Sequence, residues 1–104
     1  MRADTGSAAV RLSAQRALLG AIAPGVVGVC VQLIGDRLLF RAFVDAPLGV
    51  DEHEALEVAA TEMAADFPAV ADLEVEISER SSEPLRCPGD WVFLRYGVEG
   101  GQSR

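Results

Sequence analysis

The stretch from Val26 to Val44 constrains the fold more than any other part of the chain. Two strongly apolar runs, residues 26–34 and 37–44, are joined by Ile34-Gly35-Asp36-Arg37. Glycine at the first position of a two-residue loop suits a type II′ hairpin turn, because that position needs a positive φ. The turn sets a register that places Leu33 opposite Leu38, Val31 opposite Phe40, Val29 opposite Ala42 and Val27 opposite Val44. All of these residues are apolar and share one face. The other face carries Val26, Gly28, Cys30, Gln32 and Ile34 against Arg37, Leu39, Arg41 and Phe43. A one-residue slip would mix the two sets, so the sorting specifies the register. One face is core; on the second, Leu39 and Phe43 are apolar with no evident burial partner.

The segments around the hairpin complete an α+β pattern. Residues 8–22 predict a helix with Ala8, Leu12, Leu19 and Ile22 on its apolar side and Leu18 at the edge, stopped by Pro24-Gly25. Asp51 predicts the cap of a second helix, with Glu54 as its partner three residues on. Leu56, Ala59, Ala60, Met63 and Phe67 then recur at helical spacing up to Pro68. Residues 72–79 alternate, with Leu73, Val75 and Ile77 on one side and Glu74 and Glu76 on the other, which predicts a half-exposed antiparallel strand. Residues 81–90, with Pro84 and Pro88, read as a loop. Residues 90–96 read as a last strand, with Trp91 and Phe93 on one face and Val92, Leu94 and Tyr96 on the other. The predicted order is αββαββ, a four-stranded antiparallel sheet with two helices packed on one face. The 104 residues support a single domain over residues 8–97, with disordered ends at 1–7 and 98–104.

Charge narrows the partners. The nine basic residues are all Arg, and sixteen acids bring the formal charge to -7. Such a surface repels phosphate backbones and anionic lipid, so neither nucleic acid nor membrane is an expected partner. It attracts a basic protein. No apolar stretch reaches the ~18 residues of a membrane span. The segment Met1-Arg2-Ala3-Asp4-Thr5-Gly6-Ser7 lacks the apolar run of a secretory leader. Cys30 and Cys87 are too few for a disulfide scaffold and read as reduced thiols of a cytoplasmic protein, although spacing alone leaves a single bridge open.

Candidates for chemistry are sparse. One His and two distant Cys do not make a zinc site, and no metal is expected. Asp72, Glu74 and Glu76 at alternating strand positions read as a solvated face rather than a cation site. His53 has only the acids Glu52, Glu54 and Glu57 beside it, with no nucleophile to serve. Cys87, between Arg86 and Pro88, is the best nucleophile by position, because a neighbouring cation favours the thiolate, but no second imidazole is present to activate it. No glycine-rich phosphate loop is present, so no cofactor and no catalytic residue is assigned. Trp91 sits in Pro88-Gly89-Asp90-Trp91 near Arg86, and Trp and Arg are over-used at binding hot spots. The partner-binding candidates are therefore Glu52, Glu54, Glu74, Glu76 and Trp91. Leu39 and Phe43 form a candidate dimer patch.

A family resemblance attaches to particular strings. Gln15-Arg16-Ala17-Leu18-Leu19-Gly20 with Pro24, Ala60-Thr61-Glu62 with Ala65-Asp66-Phe67-Pro68, and Gly89-Asp90-Trp91-Val92 with Arg95 resemble a family of small bacterial proteins, some of whose members look like toxin immunity proteins. The likeness spans roughly residues 15–96 and carries over no catalytic residue. Together with the charge of -7 and the lack of a catalytic set, it points to a non-enzymatic protein-binding module, a cytoplasmic immunity or antitoxin-like protein whose acidic surface masks a basic toxin. The alternative is a homodimeric sheet protein with a small-molecule pocket near Cys87 and Trp91.

Overall fold

The computed structural model describes residues 7–79, 85–87, 89–95 and 100–102. Their elements are α1 (Ser7–Ala17), β1 (Val26–Ile34), β2 (Arg37–Val44), α2 (Val50–Ala65), β3 (Asp72–Glu79), β4 (Leu85–Cys87), β5 (Asp90–Leu94) and β6 (Gly100–Gln102). The main sheet has the order β3-β2-β1-β5, and β4 pairs with β6 in a small parallel ribbon. The fold is α+β, but the sheet is mixed, not antiparallel throughout. β2 and β3 run parallel, in register from Arg37↔Asp72 to Val44↔Glu79. The cause is α2: a helix between two strands carries the chain back to the end from which the first strand started. The alternation in β3 marks a sheet edge with one solvated face and says nothing of strand direction.

The hairpin has the expected pairs Leu33↔Leu38, Val31↔Phe40 and Val29↔Ala42, and Gly35 has φ 60°. A bulge between Val26 and Gly28 then sets Val26, not Val27, opposite Val44. Backbone amides of Ala71 and Asp72 donate to the Asp36 carbonyl, at 2.7 and 3.2 Å, so the hairpin turn also anchors the start of β3.

Both helices cover the same sheet face. Leu56, Ala59, Ala60, Met63 and Phe67 of the α2 stripe are buried as expected, against Val29, Val31, Leu38, Phe40 and Ala42. The α1 stripe differs: Val10, Ala14 and Leu18 are buried, whereas Leu12 is 54% exposed and Leu19 80%. The helix stops at Ala17 and turns through Gly20 at φ 79°, so residues 19–22 do not continue its phase. The i, i+4, i+8 series from Val10 owns the buried side. Ser13 is also buried there, and its hydroxyl donates to Asp66 at the end of α2, which satisfies this buried polar group.

The α2 cap is shifted as well. Gly49 is the N-cap, and its amide donates to Glu52 Oε1 at 2.9 Å, so Glu52 rather than Glu54 supplies the capping carboxylate. Having no side chain, Gly49 makes only the return half of a capping box. Within residues 81–90, Leu85–Cys87 forms β4, and Gly100–Gln102, expected to be frayed, forms β6. The disorder expected for residues 1–6, 98–99 and 103–104, and the roles given to Pro84, Pro88 and Tyr96, lie outside the described residues.

Candidate functional site

The helices leave the second sheet face open, and cross-strand register lays out its side chains in rows. Trp91, Cys30, Arg41 and Glu76 form one row across β5, β1, β2 and β3; Leu94, Gly28, Phe43 and Ser78 form the next. Gln32, Leu39 and Glu74 lie on the other side of the first row. At ordinary strand spacing Trp91 and Glu76 stand ~14 Å apart.

A bulge makes this arrangement. Between Val29 and Cys30 the pairing with β5 slips, so Phe93 lies opposite Val29 and Trp91 opposite Cys30. Phe93 and Val92 pack on the helix-covered core, while Trp91 and Leu94 share the open face. The strict alternation expected for residues 90–96 is thereby corrected. Gly28 is the floor of the aromatic cluster. A Cβ there would lie 2.8 Å from Trp91 Cζ3 and 3.2 Å from Leu94 Cδ1. The bare backbone lets Trp91 reach Phe43, with ring centroids 5.6 Å apart and planes tilted by 48°.

Cys30 and Cys87 are joined in a disulfide, with Cα atoms 5.9 Å apart, which corrects the reading of both as reduced thiols. Spacing could not show it, because the bulge and the return of β4 over β1 bring together residues 57 apart. Both are buried. Cys87 is thus neither free nor exposed, and the nucleophile candidate falls. Gly89 follows closely: a Cβ on it would lie 2.2 Å from the Val31 carbonyl oxygen, so this segment lies directly on β1.

The acids of the open face are engaged. Arg37 meets Asp72 at 3.3 Å and Glu74 at 2.9 Å. Arg41 Nε sits against Glu76 Oε1 as a charge contact not directed as a hydrogen bond. At the far end of β5, Arg95 donates to Asp45 at 2.8 Å and to the Pro24 carbonyl at 3.1 Å. Glu52 and Glu54 are elsewhere, on α2. Glu52 caps Gly49, and Glu54 lines a groove on the helix layer. His53 Nδ1 lies 3.6 Å from Glu57 Oε1, one turn on, and both side chains are about half exposed. The structure therefore brings together Glu74, Glu76, Trp91, Leu39 and Phe43, and separates Glu52 and Glu54 from them. Reading from sequence missed Arg37 and Arg41 as partners of the β3 acids, because that pairing depends on the parallel register.

Among the described residues no cluster of His, Cys, Asp and Glu is placed to hold a metal ion. No helix among them is long and apolar enough to cross a membrane.

The arrangement is that of a small α+β domain with an open sheet face and a grooved helix layer. The chain belongs to the MafI2 immunity protein family, whose model matches residues 7–97. No curated protein matches it closely enough to count as a relative. Among solved structures, one described as "MamM V260R" is 19% identical, with 95% of this chain and 99% of that chain covered. Its TM-score of 0.48 is too low to carry an argument.

Proposed function

We propose that the protein is a non-enzymatic immunity protein that acts by binding a toxin, and that the toxin surface it covers is basic. Membership of the immunity family over residues 7–97 carries the protein-binding role. The charge of -7 supports a basic partner, because complementary charge speeds encounter and fixes orientation. Of the candidate contacts, the helix-side acids fit best. Glu74 and Glu76 each already meet an arginine, whereas Glu54 forms no ion pair among the described residues. The disulfide favours an oxidising compartment over the cytoplasm expected from free thiols.

The test is capture of the tagged chain's partner at low and high salt, followed by co-expression of the captured protein with and without this chain. A basic protein that is released by salt, arrests growth alone and is silenced by co-expression is the expected result. Recovery of the chain alone would sink the reading.

The open face supports a second reading, self-association. Leu39, Phe43 and Trp91 are partly exposed there, and Ile34 is 58% exposed beside them. A dimer mass by light scattering that Phe43→Ser converts to a monomer mass would favour it. A small-molecule pocket near Cys87 and Trp91 would have no free thiol, because Cys87 is bonded.

A further inference from the structure

The helix layer carries a groove that includes Glu54. It lies between the turn after α1 and the outward side of α2 and holds about 360 Å³. Leu19, Ala21 and Val58 line its apolar part, and Asp51, Glu54 and Glu62 supply its charge. Leu19 is 80% exposed and Val58 50%, large fractions for branched aliphatic side chains.

Local geometry accounts for the groove. Gly20, at φ 79°, lies in the turn after α1, in the left-handed conformation that glycine adopts without strain. A Cβ at Gly20 would meet nothing, so backbone freedom rather than space calls for glycine there. The turn leaves Leu19 outside the buried stripe, facing α2. On α2, Asp51, Glu54, Val58 and Glu62 recur every three to four residues, which makes them one stripe beside the buried one. The three acids form no ion pair among the described residues. Arg16 pairs instead with Asp66, 4.0 Å away.

An apolar strip with carboxylates along it selects against nucleic acid and anionic lipid. It matches a chain segment that presents apolar side chains flanked by cations, which an amphipathic helix does on one face. We propose that this groove docks a basic amphipathic helical segment of a partner protein. Leu19 and Val58 take its apolar side chains, and Asp51, Glu54 and Glu62 take its Lys or Arg side chains. The proposal rests on the protein-binding reading above and names its surface.

The probe is a synthetic peptide of about 18 residues, long enough for helix on binding, with Leu at helical spacing and Lys elsewhere. A matched peptide with Glu in place of Lys is the control. Amide shifts in the full-length chain should move in residues 17–21 and along the outward side of α2 with the Lys peptide only. Leu19→Ser with Val58→Ser should weaken binding by roughly tenfold or more. Asp51→Asn, Glu54→Gln and Glu62→Gln together should weaken it and flatten its salt dependence. Ile34→Ser, on the open face, should leave it unchanged. Circular dichroism confirms that each variant is folded. Shifts spread over the whole acidic surface, or binding indifferent to the Leu19 and Val58 changes, would overturn the groove. Growth rescue separates the two claims. Rescue by the groove variants equal to that by the parent chain overturns the groove and leaves the immunity role intact. Absence of any partner for the parent chain overturns that role, while the peptide still decides the groove.

Discussion

The two faces of the sheet are built on different physics. On the helix-covered face, Val29, Val31, Leu38, Phe40 and Ala42 are completely buried against both helices. Cohesion there comes from apolar area removed from water, at ~25 cal/mol per Å². The open face has no helix. It is held by arginine–carboxylate pairs between β2 and β3, an aromatic pair over Gly28, and one covalent link from β1 to β4. The first face sets stability and tolerates little change. The second is held, apart from the buried disulfide, by polar and aromatic contacts that water reaches.

The comparison is broken most directly at Phe40. Removing its fully buried ring with Phe40→Ala should cost about 3–5 kcal/mol, a large share of the total stability of a domain this size. Urea unfolding would show a lower midpoint with an unchanged slope. A loss under about 1 kcal/mol would mean that the core repacks freely and that the contrast between the faces is weaker than stated.

The disulfide comes next. It closes a separation of 57 residues, so Cys30→Ala with Cys87→Ala should cost about 2–4 kcal/mol, mainly by freeing the unfolded chain. Adding reductant to the parent protein should give the same shift in the urea midpoint. An unchanged midpoint, or thiols that react with a maleimide in the native protein, would contradict the bridge.

The unequal legibility of the two faces has the same origin. The hairpin's core pairs and the α2 stripe were readable because burial of a whole face leaves a periodic trace. The open face was misread where backbone irregularity intervened. The bulge at Val29/Cys30 puts Trp91 with Leu94 and Phe93 on the core, and no single residue announces it. The parallel pairing of β3 was implied by a helix between two strands, but the acidic alternation of Glu74 and Glu76 looked the same for either direction. Leu19 fits the helical spacing of residues 8–22, but the turn at the adjacent Gly20 takes it out of phase. The stripe of Asp51, Glu54, Val58 and Glu62 was visible in the spacing. Mixed acid and aliphatic positions at that spacing resemble an ordinary solvated helix side.

Gly28 sharpens the comparison from within one strand, between core residues Val26 and Val29. Gly28→Ala puts a methyl 2.8 Å from the Trp91 ring and should cost about 1–3 kcal/mol by pushing that ring off Phe43. Tryptophan fluorescence and the near-ultraviolet dichroism of the aromatic pair should change, while the far-ultraviolet spectrum should not. A variant with parental aromatic signals would show that the open face has room that the geometry denies it.

The smallest expected effect lies at the ion pairs. Arg37 and its partners Asp72 and Glu74 are all more than half exposed, so water already solvates much of each charge. Arg37→Met should therefore shift stability by under about 1 kcal/mol, and salt should reduce even that. Arg41 is the more buried of the two, with its side chain 26% exposed, and Arg41→Met would remove the cation that pairs with Glu76. Its loss should exceed that of Arg37, though it stays below the cost of Gly28→Ala. Measuring both variants at low and high salt orders them. If Arg37→Met proved as costly as Phe40→Ala, the open face would be structural rather than available, and partner binding would have to be sought on the helix layer alone.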